Sequence, residues 1–220
     1  STITVSGVNN LSGGEFRVPA DRLQAGTYLL AGAITKGSVT VNQILPESQA
    51  AVVNKLRECG VRVEQGSDWI QVDGSAPKRG IRVKTMPYPG FPTDMQQPMS
   101  ALLTLAEGNS FVEETIYESR IGHIQELNRM GASVRAEGRT TVISGVSRLK
   151  GATVEATDLR AGAALVLAAL AAEGTTVLNN LHYVDRGYEN FEDHLRSLGA
   201  SVERIDSKQW NKPASGGRSN

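Results

Sequence analysis

Cysteine is nearly absent from this chain: of 220 residues, only Cys59 carries a thiol. A lone cysteine excludes a disulfide framework and a cysteine-built zinc site, and it suits a reducing compartment. Histidine is scarce as well, and His123, His182 and His194 lack metal-ligand spacing. No metal or cofactor is therefore expected. An excess of one charge is also missing, since 23 Lys and Arg balance 23 Asp and Glu without a basic block. That argues against a nucleic-acid partner, which requires a face able to neutralise phosphates. The longest apolar run, Ala161–Ala172, falls short of the roughly 20 residues a membrane span needs. Neither a Walker-type nor a dinucleotide-binding glycine run is present, and Trp69 and Trp210 are too few for stacking platforms. The opening residues read as a strand rather than a leader peptide, so a globular cytoplasmic protein is expected.

What the chain does contain is itself, three times over. Gly60, Gly131 and Gly199 sit in LRECGVRVE, LNRMGASVR and LRSLGASVE, at intervals of 71 and 68 residues. Gly37, Gly108 and Gly174 recur at 71 and 66, and Asp21, Asp94 and Asp158 at 73 and 64. Three markers in one order define a repeating unit of about seventy residues. Each unit reads as a strand (Phe16–Val18, Ile81–Lys84, Thr153–Glu155) followed by a small-residue apolar helix (Thr27–Ile34, Met99–Ala106, Gly162–Ala172). A β-branched strand comes next: Ser38–Val41, Phe111–Glu114 or Thr175–Leu178. A second, amphipathic helix then ends at Gly60, Gly131 or Gly199, in the place of a left-handed cap. Short closing strands complete units one and two, Arg62–Glu64 with Trp69–Val72 and Ser133–Arg135 with Thr141–Ile143. The expected organisation is one α/β domain over 1–206, with units 11–80, 81–150 and 151–206, and a disordered polar tail at 207–220. Unit three reaches only Ser201–Ile205, whereas Ile3–Gly7 matches a closing strand with no unit before it. The alternation of Ile3–Gly7 suits a half-buried strand, so pairing with the Ser201–Ile205 edge, within or between chains, is expected.

Repeats make differences at equivalent places informative. Helix N-termini favour anions, so arginines gathered there call for a negative partner. Arg120 and Arg186 stand where the second helix of their units begins, where unit one has Glu47 and Gln49, and Arg160 follows Asp158 at an inner helix. Two readings fit: an anion-binding cluster, or ion pairs with Glu118, Asp158 and Asp185. Asp94 lies in the stiff PYPGFPTDMQQP stretch, in the turn before a helix that begins near Pro98. It reads either as a helix cap or as a carboxylate held beside the arginines to act as a general base. Cys59 fills a slot taken by Met130 and Leu198 in the other units, a core position.

PADR, FPTDMQ, ETIYESR, ATDLRA and VDRGYE, in this order, closely resemble one half of the enolpyruvyl transferases that act on UDP-N-acetylglucosamine. The resemblance implies a threefold-repeat βαβαββ domain, an inside-out α/β barrel that faces a second, similar domain across the substrate cleft. It also accounts for the offset ends, because in the family the polypeptide crosses between domains. The implied reaction moves the enolpyruvyl group of phosphoenolpyruvate to the sugar 3-hydroxyl and releases phosphate, a step toward peptidoglycan. By the same resemblance Asp94 acts in proton transfer, beside Thr93. Ile116 touches the nucleotide sugar, Arg120 lines the cleft, Arg186 binds phosphoenolpyruvate, and Asp158 and Arg160 fill the remaining polar positions. The family's cysteine-bearing loop, which donates a proton, and its Lys-Asn pair have no counterpart here. The implied partners are thus the two substrates and the missing first domain, and the chain alone is expected to be inactive. A related transferase acting on shikimate 3-phosphate and a non-catalytic binding domain are the alternatives.

Overall fold

The computed structural model describes residues 2–205. Unit one contains α1 (Arg22–Ile34), β1 (Ser38–Asn42), α2 (Ala50–Glu58), β2 (Arg62–Gln65) and β3 (Trp69–Asp73). Unit two contains β4 (Arg82–Lys84), α3 (Gln96–Leu103), β5 (Asn109–Glu113), α4 (His123–Arg129), β6 (Ser133–Glu137) and β7 (Thr140–Ser144). Then β8 (Leu149–Lys150) ends unit two, and unit three contains β9 (Thr153–Glu155), α5 (Leu159–Leu170), β10 (Ala172–Glu173), β11 (Val177–Asn179) and α6 (Phe191–Ser197).

The inner helices α1, α3 and α5 pack against one another, and the sheets lie outside them. Their composition explains why. LRAGAALVLAAL has no polar face beyond its first turn, and a helix apolar all round must be enclosed on all sides. Leu165 and Leu167 are wholly buried, each contributing about 1.5–3 kcal/mol. Small residues let the helices approach: a Cβ on Gly162 would stand 2.5 Å from Val184 Cγ2, so only glycine admits that neighbour.

Unit two has the full sheet, in the order β4-β5-β7-β6, with β4 parallel to β5 and the other pairs antiparallel. Unit one has three strands, β1-β3-β2, and unit three retains only β9 parallel to β11, beside the small β8–β10 pair. The second helices all close alike. Val61, Ala132 and Ala200 donate their amides to Leu56, Leu127 and Leu195, bonds of 3.0, 3.1 and 3.0 Å. The turn each bond spans needs a left-handed residue, and Gly60 supplies it at φ 101°.

Several expectations need correction. Phe16–Val18 is not a strand; residues 2–21 carry neither helix nor strand, and Phe16 and Val18 are 83% and 80% exposed. Ile3–Gly7 does not pair with Ser201–Ile205 within the chain: neither segment is a strand, and Ile3 is 90% exposed. Alternation suits a strand for burial but does not supply the neighbouring edge. Helix α5 ends at Leu170, because Ala172–Glu173 turns away to pair with β8. Helix α3 begins at Gln96 rather than near Pro98, and it ends at Leu103 rather than Ala106. Proline is tolerated in its first turn, where its missing N–H would have had no partner. The tail at 207–220 lies outside the described residues.

Candidate functional site

At three equivalent positions the repeat places an aspartate, and two of them do the same job. Asp21 accepts from the amides of Leu23 and Gln24 at 2.7 and 3.2 Å, capping α1. Asp158 accepts from the amides of Arg160 and Ala161 at 2.8 and 3.0 Å, capping α5, and takes the Gln97 amide nitrogen on its other oxygen. Asp94 does not cap. A short 3₁₀ turn, Thr93–Met95, precedes α3, and no side chain caps either segment. The Asp94 carboxylate accepts instead from Arg120 Nη1 at 2.5 Å and from Arg160 Nη2 at 3.3 Å. Of the two readings of Asp94, the cap is thereby set aside, and so is the reading that pairs the three arginines with Glu118, Asp158 and Asp185. Glu118 pairs with Arg139, Asp185 with Arg204, and Asp158 with the helix it starts.

Burial works to raise the Asp94 pKa, but the two guanidinium groups outweigh it and hold the carboxyl below its ordinary value. Asp94 is therefore ionised at neutral pH. Arg160 also donates to Tyr188 Oη at 3.1 Å, and that hydroxyl lies 2.8 Å from Thr27 Oγ1 of α1. Thr27 gives its own proton to the Leu23 carbonyl, so the tyrosine donates to it. A polar chain thus runs from α1 through Tyr188 and Arg160 to Asp94 and Arg120, at the N-terminal ends of the inner helices.

Thr93 donates to Glu114 at 2.8 Å. Glu114 is buried and also accepts from Thr85 Oγ1 and from the amides of Ile116 and Tyr117, at 2.7, 2.8 and 3.1 Å. Burial pushes its pKa up, yet these donors prevail and hold it low. The fixed turn presents Ile116 and Tyr117 outward, about half exposed, with Arg120 against the Tyr117 ring. Arg186 stands apart from the cluster. It closes the 3₁₀ segment Leu181–Arg186, five residues before α6 rather than at its start, and it is exposed. Among the described residues its side chain makes no hydrogen bond or ion pair.

Sequence reasoning missed Glu114, Tyr188, His123, Gln96 and Gln97. Glu114 and Tyr188 lie inside the quoted motifs ETIYESR and VDRGYE, the one signal available for them. His123 is wholly buried with neither ring nitrogen bonded, and burial lowers its pKa to about 4. Five of the six buried side-chain polar atoms that lack a partner among the described residues belong to Gln96, Gln97, Arg120 and His123. Unmet hydrogen-bonding capacity thus concentrates beside Asp94. A concavity of about 650 Å³ lies elsewhere, lined by residues of α2, β4, β5 and β7. Size does not make it the better candidate, because it holds none of the convergent, partly unpartnered polar groups that surround Asp94.

A UDP-N-acetylglucosamine 1-carboxyvinyltransferase from Clostridium botulinum is 49% identical over 92% of the chain, and that alignment takes in 49% of the relative. The enzyme of that name from Escherichia fergusonii is 48% identical over 92% of the chain and 49% of its own length. The chain therefore spans about half the length of the curated relatives it matches. Among solved structures, the enolpyruvyl transferase NikO from Streptomyces tendae superposes with a TM-score of 0.75 at 30% identity, covering 83% of this chain and 44% of that one. An EPSP synthase from Acinetobacter baumannii, 22% identical, shares the fold with a TM-score of 0.66 over 87% of this chain and 45% of its own. Residues 1–195 match the sequence profile of EPSP synthase (3-phosphoshikimate 1-carboxyvinyltransferase), and the chain belongs to that family of enolpyruvyl transferases.

Proposed function

We propose that this chain forms the half of a UDP-N-acetylglucosamine enolpyruvyl transferase that carries the base. The carrying observation is the Asp94 carboxylate shared between Arg120 and Arg160, at the one equivalent position where the aspartate does not cap a helix. In this reading the sugar 3-hydroxyl gives its proton to Asp94 as its oxygen bonds to C2 of phosphoenolpyruvate. A proton from the facing domain reaches C3; in the elimination that follows, the bond from C2 to the phosphate oxygen breaks and C3 gives up a proton to the departing phosphate, which restores the C2–C3 double bond. Arg120, Arg160 and Arg186 offset the charge of the phosphate and carboxylate groups, for which the fork of guanidinium donors is suited. A base held ionised by arginines is weak. Anionic substrate that draws a guanidinium toward itself raises the basicity of Asp94 at the moment of need. Thr93 and the turn at Ile116 flank the nucleotide sugar, and Asp158 sets the α5 terminus. Half an interdomain cleft would be an open shelf rather than an enclosed pocket.

The curated relatives support the sugar nucleotide over shikimate 3-phosphate, since the likeness to the solved EPSP synthase extends to the fold alone. The reading places the protein in the cytoplasm, in cell-wall synthesis, with the facing domain as its partner. Among the described residues no helix is long and apolar enough to cross a membrane. Phosphate release from phosphoenolpyruvate and UDP-N-acetylglucosamine tests the reading. The chain alone is expected to be silent, and mixing with the complementary half of a relative restores release that Asp94→Asn abolishes. Robust turnover by the chain alone, or by the Asp94→Asn mixture, overturns it.

A further inference from the structure

Arg186 is exposed, and its nearest neighbour in sequence is a carboxylate. Left to itself, Asp185 would be the obvious partner for the guanidinium beside it, which makes no bond among the described residues. It is not free to be one. Arg204 takes both of its oxygens, Nη2 to Oδ1 at 2.7 Å and Nη1 to Oδ2 at 3.1 Å. The same guanidinium reaches Glu192 in the first turn of α6, through Nε at 2.6 Å and Nη2 at 3.1 Å. This fork holds the Asp185 carboxyl below its ordinary range.

The inner side of the segment is fixed by other means. Val184 is buried against Gly162 of α5, Tyr188 is buried and bonded to Arg160, and the Gly187 carbonyl accepts from Gln24 Nε2 at 3.0 Å. On the outer side, among the described residues, Arg204 supplies the side-chain bonds to Asp185. We propose that Arg204 is a positioning residue: by occupying Asp185 it keeps the Arg186 guanidinium free and outward for an anionic substrate. The proposal rests on the enolpyruvyl-transfer reading for the identity of that anion.

The test is titration of the chain with phosphoenolpyruvate by calorimetry, with the Arg186 Nε–Hε resonance followed by NMR in the ligand-free protein. Arg204→Gln is expected to raise the dissociation constant about five- to tenfold, the scale of a charge-assisted pair diverted to a competitor. The double variant Arg204→Gln/Asp185→Asn removes the competitor, and its binding returns to within about twofold of Asp185→Asn. A merely structural role for Arg204 predicts no such rescue. The Arg186 resonance is expected to shift in Arg204→Gln and to return in the double variant. A resonance that stays in place in folded Arg204→Gln, or wild-type binding by that variant while Arg186→Gln binds nothing, overturns the proposal. If Arg186→Gln binds phosphoenolpyruvate like the wild type, the functional reading of Arg186 fails instead, and the resonance still decides for Arg204.

Discussion

Replacing each of the three repeat-equivalent aspartates by asparagine separates a cap from an ion pair. Asparagine is as good a cap as aspartate, so Asp21→Asn and Asp158→Asn lose little beyond a favourable charge at a helix N-terminus, about 0.3–1 kcal/mol. Asp94→Asn leaves two guanidinium groups side by side without a counter-charge. Removing one partner of a buried pair costs about 3–5 kcal/mol. Asp94 is 30% exposed, against 17% for Arg120 and 9% for Arg160, and this screening brings the expected loss to about 2 kcal/mol. For a chain of this size that is a fall in melting temperature of about 4–8 °C. The sign with pH follows from the lowered pKa. The contribution of Asp94 is fully present above its unfolded value near pH 4 and is lost as pH falls through the folded value. Urea unfolding of the wild type and the three variants, at pH 7 and in acid, measures this. Equal losses at all three positions at pH 7, or a deficit in Asp94→Asn that persists undiminished in acid, would refute the reasoning.

Glu114→Ala should cost about 3 kcal/mol in chemical denaturation, because Thr85, Thr93 and the Ile116 and Tyr117 amides lose one shared acceptor; a loss under about 1 kcal/mol would show that the turn stands without it. Gly162→Ala forces a methyl to within 2.5 Å of Val184, and it should destabilise by about 1–3 kcal/mol while loosening the 3₁₀ segment, read by hydrogen exchange at Val184. His123 has its pKa lowered to about 4 by burial, so the unfolded chain binds the extra proton between about pH 6.5 and 4, and stability drops as the pH is lowered through that window. His123→Leu should flatten that part of the pH–stability curve, and an unchanged slope would mean the ring is reached by solvent.

Much of the architecture was legible because the repeat reinforces itself. The C-terminal glycines of the second helices, the apolar inner helices and the closing strands of units one and two appear where the pattern put them. What failed were features that depend on a neighbour. Phe16–Val18 and Ile3–Gly7 have strand-like alternation, yet a strand exists only when an edge accepts it. The boundaries of α3 and α5 moved because Pro98 is harmless in a first turn and Ala172 is drawn off by β8. At the site, the motifs located Asp94, Arg120 and Arg160, and the structure brings these three together. The pattern could not tell which carboxylate each arginine would choose, because Asp94 lies 26 residues from Arg120 and 66 from Arg160. Arg186 lies outside that cluster, two residues before the Tyr188 that bonds to Arg160. Glu114 escaped notice since a buried acid satisfied by backbone amides has no periodic signature.

Each inner helix touches both of the others, which sets this repeat protein apart from a solenoid. In a linear array every repeat meets only its neighbours, ends need special caps, and the chain can gain or lose a module and unfold piece by piece. Three helices meeting around one axis form a ring, and a ring has no terminal member. Deleting any unit would strip a face from both survivors and break the hydroxyl–guanidinium–carboxylate chain that runs across all three. The number of repeats is therefore fixed by geometry, and the chain should melt in one cooperative transition rather than in steps. Divergence among the copies, with two aspartates kept as caps and one released for other work, is the freedom that such a closed arrangement leaves.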